Sequence, residues 1–482
     1  MKPHLRRNAI IFTLLACILV SFFIEFSYGS YFLSNFHGNW YSIDQDVVIT
    51  AAYRLSKDSF FSTDFLANSM IVLYPSWIFS LVEFFYDLIG NMFLTFFILT
   101  LSLKIIFVFS TFLLSEYLLK NEKLALLATF ILSFTHFMGP EEIGIAELLA
   151  KNFVFAFMPL LFFLFFKYYK KTSILIFVTL GFFLFFHSIT VIPVILLLLY
   201  SLLVEKKSYK LFFVCLVISA VFSFLFIRLT PVYQENFDIS THFNSQILLP
   251  SGAYESILKF GLVLVPGFYF VRKKNKELFN WLLILSAYSL ISIFSLYSTQ
   301  ITVLQFFRSF KYVIYFSFIY SVFLISWTSN RSKILSLILA FLIFFPFSSI
   351  YYSTGLEGIT KAKNTHLYQV SDLMQLGKWI GNNTSRDSTL LTPPDWSEIK
   401  IWSKRPVVFS MYDTEWCAYS RIISVQCKER SDDVSQVYSQ SSTSEFVSVA
   451  KKYNAQYVVT YNKNLDLPER FSAGDFRVFE VR

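Results

Sequence analysis

The run Tyr41, Ser42, Ile43, Asp44, Gln45, Asp46 puts two carboxylates two residues apart, ahead of an apolar stretch and Arg54. Such a pair can share a divalent cation, or one member can take a proton from a hydroxyl while the other orients a partner. The plainer alternative is a solvated acidic loop. A second acidic group, Glu141 and Glu142 with Glu147 beyond, follows His136, Gly139 and Pro140. It reads as a substrate-binding set or as a helix amino terminus whose carboxylates complement the dipole. His187 can hydrogen-bond a phosphate or satisfy the backbone of a turn. Gln305, Arg308 and Lys311 open an apolar run. A guanidinium there can grip phosphate through two parallel hydrogen bonds, with Lys311 three residues on as a second phosphate-binding cation, and the alternative is that both cations snorkel to lipid headgroups.

The elements that must carry these residues are those of a membrane protein. Of 482 residues, 55% are hydrophobic, 20% aromatic and 15% charged, with 60 phenylalanines, whereas soluble domains carry roughly a quarter charged residues. Long charge-free runs such as 153–166 and 174–204 fit a chain whose solvent is lipid. The net charge of +9 is a topology signal, not a nucleic-acid footprint, because its basic residues cluster between apolar runs. These clusters are Lys120 with Lys123; Lys167, Lys170 and Lys171; Lys206, Lys207 and Lys210; Arg272 to Lys276; and Arg331 with Lys333. The alternate loops are acidic instead.

With every basic cluster cytoplasmic, about eleven crossings are expected, near 8–28, 91–119, 124–138, 152–166, 174–187, 189–204, 211–228, 257–271, 278–297, 305–327 and 334–352. The amino terminus, with Lys2, Arg6 and Arg7, is then cytoplasmic and its helix retained, since no small-residue cleavage site follows. Run 174–204 becomes a tight hairpin turning near His187, Ser188 and Pro193. Segment 67–90, which carries Pro75, Glu83 and Asp87, reads as an interfacial or re-entrant piece. The expected fold class is a polytopic α-helical membrane protein with a small C-terminal extracytoplasmic α/β domain. Its two domains are 1–355, including a first outer loop at 29–90, and 360–482.

In the second domain, helices are expected at Val370–Asn382 and Ser444–Tyr453. Strands are expected at Ser388–Leu391, Pro406–Phe409, Gln456–Tyr461 and Phe476–Val481. Cys17 and Cys215 lie in apolar spans. Cys417 and Cys427 lie in the outer domain, ten apart, where an oxidising compartment allows a disulfide. Ionisable pairs are missing from the spans, with Glu25 and Lys104 the main exceptions, so an ion-coupled transporter is disfavoured and chemistry is expected at the outer surface.

A retained first helix, a long first outer loop with Asp44-Gln45-Asp46, many spans and an outer α/β domain together resemble the C-type glycosyltransferases. The run from Ile43 to Leu55 followed by Phe65, the stretch Leu73-Tyr74-Pro75 and Phe186-His187-Ser188 resemble features of an uncharacterised bacterial subgroup. So do Leu376-Gly377-Lys378-Trp379-Ile380, Thr392-Pro393-Pro394, Arg405-Pro406-Val407-Val408 and the run from Lys451 to Val459. No W-W-D signature of the oligosaccharyltransferases is present. The resemblance implies an inner-membrane enzyme that moves a sugar from a polyprenyl-phosphate carrier to an acceptor. It implies Asp44 or Asp46 as the acceptor-activating or metal-binding carboxylate, with Mg or Mn as the cation. Glu141 or Glu142 would be the second-loop acid, and Arg308 the basic residue near the donor phosphate. The partners implied are the lipid-linked donor, the bilayer and an acceptor whose identity the resemblance leaves open, with no nucleic acid. The alternative reading is an envelope polysaccharide polymerase or ligase, or a lipid-linked saccharide flippase.

Overall fold

A computed structural model of the chain describes residues 3–30, 43–57, 60–73, 76–135, 148–229, 253–291, 306–344, 366–394, 396–410, 421–439, 442–461 and 464–481. The chain divides into two compact units. One comprises Met1–Tyr28, Phe97–Phe226 and Gln246–Gly358, and the other Gly29–Phe96, Ile227–Ser245 and Ile359–Arg482.

The first unit is helical. It contains α1 (Pro3–Ser30), most of α5 (Met92–Leu119), α6 (Glu122–Phe134), α7 (Ala150–Tyr200), α8 (Tyr209–Leu229), α9 (Ala253–Lys274), α10 (Lys276–Leu290), α11 (Phe310–Ser329) and α12 (Lys333–Phe344). The chain is a polytopic α-helical membrane protein, but the expected count of about eleven crossings is not met. Among the described residues, 4 helical stretches are long and apolar enough to cross: Met92–Leu119, Ala150–Glu205, Tyr209–Leu229 and Phe310–Ser329. Among the described residues several expected spans are represented only by short helices. α6, α10 and α12 have 13, 15 and 12 residues, short of the roughly 20 that an ordinary crossing needs. In α1, the apolar stretch Asn8–Phe22 is what falls among the described side chains.

Three further expected spans lie within the single 56-residue run Ala150–Glu205. Its backbone leaves helical geometry at Tyr168 (φ −134°, ψ 25°) and at His187 (φ −159°, ψ 87°). Around Tyr168 the run folds back on itself. Phe153 stacks on Phe186 with ring centroids 4.5 Å apart, and Phe157 meets Phe183 at 5.4 Å, the order of an antiparallel pair. Lys167 lies at this turn, its ammonium over the rings of Phe163 and Tyr168. Asparagine caps start the helices that follow tight connections. Asn121 Oδ1 accepts from the N–H groups of Lys123 and Leu124, and Asn275 Oδ1 from that of Leu278.

The second unit holds a sheet of order β1-β2-β4-β3, formed by β1 (Thr389–Leu391), β2 (Ala455–Tyr461), β3 (Glu469–Ala473) and β4 (Phe476–Glu480). β1 and β2 are parallel and the other pairs antiparallel. Expected strand Pro406–Phe409 contributes a parallel bridge, Leu390 to Val407. Because strand side chains alternate, Leu390, Val459 and Val478 pack on one face with Leu373, Leu376 and Ile380 of α13 (His366–Asn383) and Ile399 of α14 (Ser397–Ser403). Leu391, Val458 and Phe479 pack on the other with Cys427, Val434 and Val437 of α15 (Arg421–Ser439) and Phe446 of α16 (Thr443–Lys452). α13 and α14 approach closely because α13 carries glycines there. A Cβ on Gly377 would stand 2.8 Å from Trp402 Cβ, and one on Gly381 3.0 Å from the Ser403 carbonyl oxygen.

The same unit includes the loop helices α2 (Ile43–Leu55), α3 (Phe65–Leu73) and α4 (Trp77–Ile89). α3 and α4, with 9 and 13 residues, are too short to cross. α4 buries Ile78, Phe79, Val82 and Tyr86 and exposes Trp77, Phe84 and Leu88. Burial, and after it the neighbouring Asp87, raise the Glu83 carboxyl above its ordinary value, against the effect of Lys57.

Asp64 ties these helices to the C-terminal domain. Its Oδ1 accepts from the Ala67 N–H at 2.7 Å, starting α3, and from Lys400 Nζ at 3.2 Å, while Oδ2 accepts from the Val407 N–H at 3.3 Å. Both side chains are buried, at 1% and 2% exposure. Lys404 extends the tie, its ammonium 4.8 Å from the Tyr53 ring centroid and 4.7 Å from that of Phe60.

Removing one partner of such a pair strands a buried charge. Lys400→Met is therefore expected to cost roughly 3–5 kcal/mol, with Asp64→Leu/Lys400→Met recovering part of it. Thermal unfolding of the purified protein checks this, and a single variant as stable as wild type would contradict it.

Candidate functional site

The site follows from the backbone break at His187. Its extended conformation precedes helical residues running from Ser188 to Tyr200. This is the geometry of a residue that caps a helix amino terminus. The cap is made: His187 Nδ1 accepts the Thr190 backbone N–H at 3.2 Å and lies 2.8 Å from Thr190 Oγ1. Inside an apolar surrounding the helix therefore restarts with one of its freed N–H groups met by a side chain.

Two residues of α11 converge on the same threonine. Lys311 Nζ donates to Thr190 Oγ1 at 3.0 Å, and the Tyr312 hydroxyl donates to the Thr190 carbonyl at 3.0 Å. The Lys311 ammonium also lies 5.3 Å from the ring centroid of Phe155 and 5.8 Å from that of Tyr312. With only 1% of its surface exposed, Lys311 does not snorkel to headgroups. It is an internal cation.

Arg308 belongs to the 3-10 turn Phe306–Ser309 leading into α11, and is half-buried. The turn is pinned to α10, since the hydroxyls of Ser309 and Ser289 lie 2.6 Å apart. Arg308, Lys311 and Lys151 all lie close enough to act electrostatically on His187. Three cations and a helix amino terminus thus act on one imidazole within a largely apolar unit. Such a collection of positive charge suits an anion with several acceptor oxygens.

The expected residues fare differently. His187, Arg308 and Lys311, scattered over 125 positions in sequence numbering from 187 to 311, are brought together. Asp44 and Asp46 lie in the first turn of α2, where positions two apart do not share a helix face, and their side chains fall outside what is described. Glu141 and Glu142 lie outside the described residues. Among the described residues no group of three His, Cys, Asp or Glu side chains is arranged to hold a metal ion. Cys427 is buried and disulfide-bonded, and its expected partner Cys417 lies outside the described residues. Cys17 and Cys215 are free and buried.

Sequence reading missed Thr190, Tyr312 and Lys151. A threonine in an apolar run carries no signal of its own, and its role here exists only because the backbone breaks three residues earlier. It also left Lys104 without a role. This residue is fully buried, and its ammonium donates to the Ser133 carbonyl near the end of α6 at 2.6 Å.

Comparison with known proteins gives two likenesses. Residues 371–418, from α13 to beyond α14, match a family described as a domain of unknown function, DUF6798. No curated protein matches the chain. Among solved structures, the chain is similar to the oligosaccharyltransferase of Archaeoglobus fulgidus in complex with an inhibitory peptide and a dolichol-phosphate. The TM-score is 0.51 at 11% identity, over 95% of this chain and 70% of that one. The apo form of an oligosaccharyltransferase from the same organism gives 0.49 at 10% identity, over 94% and 69%. The likeness to the complex is one of fold alone.

Peptide mapping of the non-reduced protein is expected to recover Cys427 joined to Cys417 as one linked pair. Alkylation of both as free thiols would contradict that pairing.

Proposed function

We propose that this chain is an integral-membrane glycosyltransferase that moves a sugar from a polyprenyl-phosphate donor to an acceptor at the extracytoplasmic face of the cytoplasmic membrane. The observation that carries this reading is the convergence of His187, Lys311 and Arg308 at a helix restart. The fold likeness supports it, because the similar archaeal enzyme is a sugar transferase whose complex contains a dolichol-phosphate.

In the proposed reaction the acceptor oxygen forms a bond to the anomeric carbon as the bond from that carbon to the phosphate oxygen breaks. The electron pair of the broken bond leaves with the polyprenyl phosphate, whose added charge the cationic cluster stabilises. The leaving group is a stable phosphate, so no acid need protonate it. The proton of the acceptor hydroxyl passes to a carboxylate. We assign that carboxylate to the first turn of α2. Because residues 44 and 46 are two apart on a helix, one of them serves the acceptor and the other does not.

A divalent cation, Mg or Mn, at Asp44 or Asp46 is part of what the resemblance implies, and no step above is routed through it. Glu141 or Glu142 remains proposed as a further acid facing substrate. The amino terminus is proposed as cytoplasmic and residues 360–482 as extracytoplasmic, since the basic clusters then share one side.

Asp44→Asn and Asp46→Asn separate these roles. One of the two is expected to lower sugar transfer from a polyprenyl-phosphate donor in vesicles by about 100-fold or more, the effect of losing a general base. Full transfer by both variants would remove the assignment. Arg308→Lys keeps the charge and loses the planar fork, so donor binding is expected to weaken, and unchanged affinity measured on the purified protein would count against phosphate contact at Arg308.

A further inference from the structure

The hydrogen-bond directions around Thr190 determine where the imidazole of His187 carries its proton. An ammonium has three donors and no acceptor, so Thr190 Oγ1 must accept from Lys311 across their 3.0 Å contact. The hydroxyl proton is then available to His187 Nδ1, 2.8 Å away. The backbone N–H of Thr190, 3.2 Å from the same nitrogen, can only donate. Two donors meet at Nδ1, so Nδ1 is the acceptor, and in a neutral imidazole the proton sits on Nε2.

That leaves Nε2–H as the ring donor that the contacts with Thr190 do not use, on a side chain only 8% exposed. The cations that bear on this ring are Arg308, Lys311 and Lys151, which favour an acceptor that is an anion. The amino terminus of the helical residues from Ser188 to Tyr200 adds partial positive charge beside it.

We propose that His187 has two separate functions. Nδ1 caps the restarted helix, and Nε2–H donates to an oxygen of the donor phosphate. Thr190 and Lys311 are positioning residues that hold this tautomer and ring orientation through one chain of hydrogen bonds. Lys311, which sequence reading assigned to the phosphate, therefore acts through Thr190. The identity of the ligand as a lipid phosphate rests on the preceding reading, whereas the tautomer does not.

The two functions can be separated in the full-length protein. His187→Asn supplies an amide oxygen that caps as Nδ1 does and removes the Nε2 donor. His187→Ala removes both. Nitrogen NMR of histidine-labelled protein is expected to show a neutral Nε2–H imidazole that disappears in His187→Asn. Farnesyl phosphate is expected to bind His187→Asn about 10–100-fold more weakly, the worth of a hydrogen bond to a charged group, while thermal stability stays near wild type. His187→Ala should lose both binding and stability. Thr190→Val and Lys311→Met should weaken binding by similar factors, with the double variant no weaker than either, as for residues acting through one path. Thr190→Ser should restore binding.

An Nδ1–H imidazole would overturn this inference and leave the preceding reading intact. An Nε2–H imidazole with unchanged farnesyl phosphate binding in His187→Asn would overturn the phosphate contact. Additive losses at Thr190 and Lys311 would make Lys311 a direct ligand and overturn its positioning role. A loss confined to inorganic phosphate would put a free ion at the site and overturn the lipid assignment.

Discussion

A helix that stops among apolar neighbours frees backbone N–H groups that no water can satisfy, and each must find a partner in the protein. At His187 that requirement is met by the imidazole, and the rest of the candidate site follows from how it is met. Using Nδ1 as the cap brings Thr190 beneath the ring. Thr190 in turn gives Lys311 and Tyr312 of α11 their hydrogen-bond partners, which docks α11 onto this part of the long run. Lys311 arrives with α11 and Arg308 with the turn that precedes it, while Lys151 belongs to the start of α7. A purely structural break would be cheaper without charges nearby, since an internal ammonium is costly to desolvate. Their gathering at the break is what the proposed phosphate site rests on.

The second unit is organised by a different constraint, the burial of a charge pair. Asp64 starts α3, accepts from the backbone at Val407 and faces Lys400, so loop and domain share one buried carboxylate. Between the parallel ends of β1 and β2, where open α/β sheets often bind ligands, the Tyr438 hydroxyl donates to the carbonyls of Leu391 and Val459 at 2.9 and 2.7 Å. The sheet is packed on both faces by helices, and the proposed chemistry is assigned elsewhere.

Much of the C-terminal domain was legible because its strands are short runs of β-branched and aromatic residues. Ala455–Tyr461 and Phe476–Glu480 bury consecutive residues, since both faces of the sheet are covered. Helix Arg421–Ser439 escaped notice because its polar residues hide the apolar stripe of Cys427, Val434 and Val437. In the membrane part, hydropathy marks apolar runs but not where a backbone turns within them, so charge parity was made to decide the count of crossings and gave too many. His187, Arg308 and Lys311 could be singled out as polar residues at the ends of apolar runs. Asp64 could not, since Lys400 lies 336 residues away and neither residue has a local signature of the pair.

The central claim is that the cluster around His187 recognises the phosphate of a lipid-linked donor. The most direct test compares two lipids of identical polyprenyl chain, one ending in phosphate and one in a hydroxyl, for binding to the purified protein in nanodiscs. The account predicts that the phosphate binds at least about tenfold more tightly, a difference of one charge-assisted contact or more. Equal affinity for the phosphate and the alcohol would contradict it.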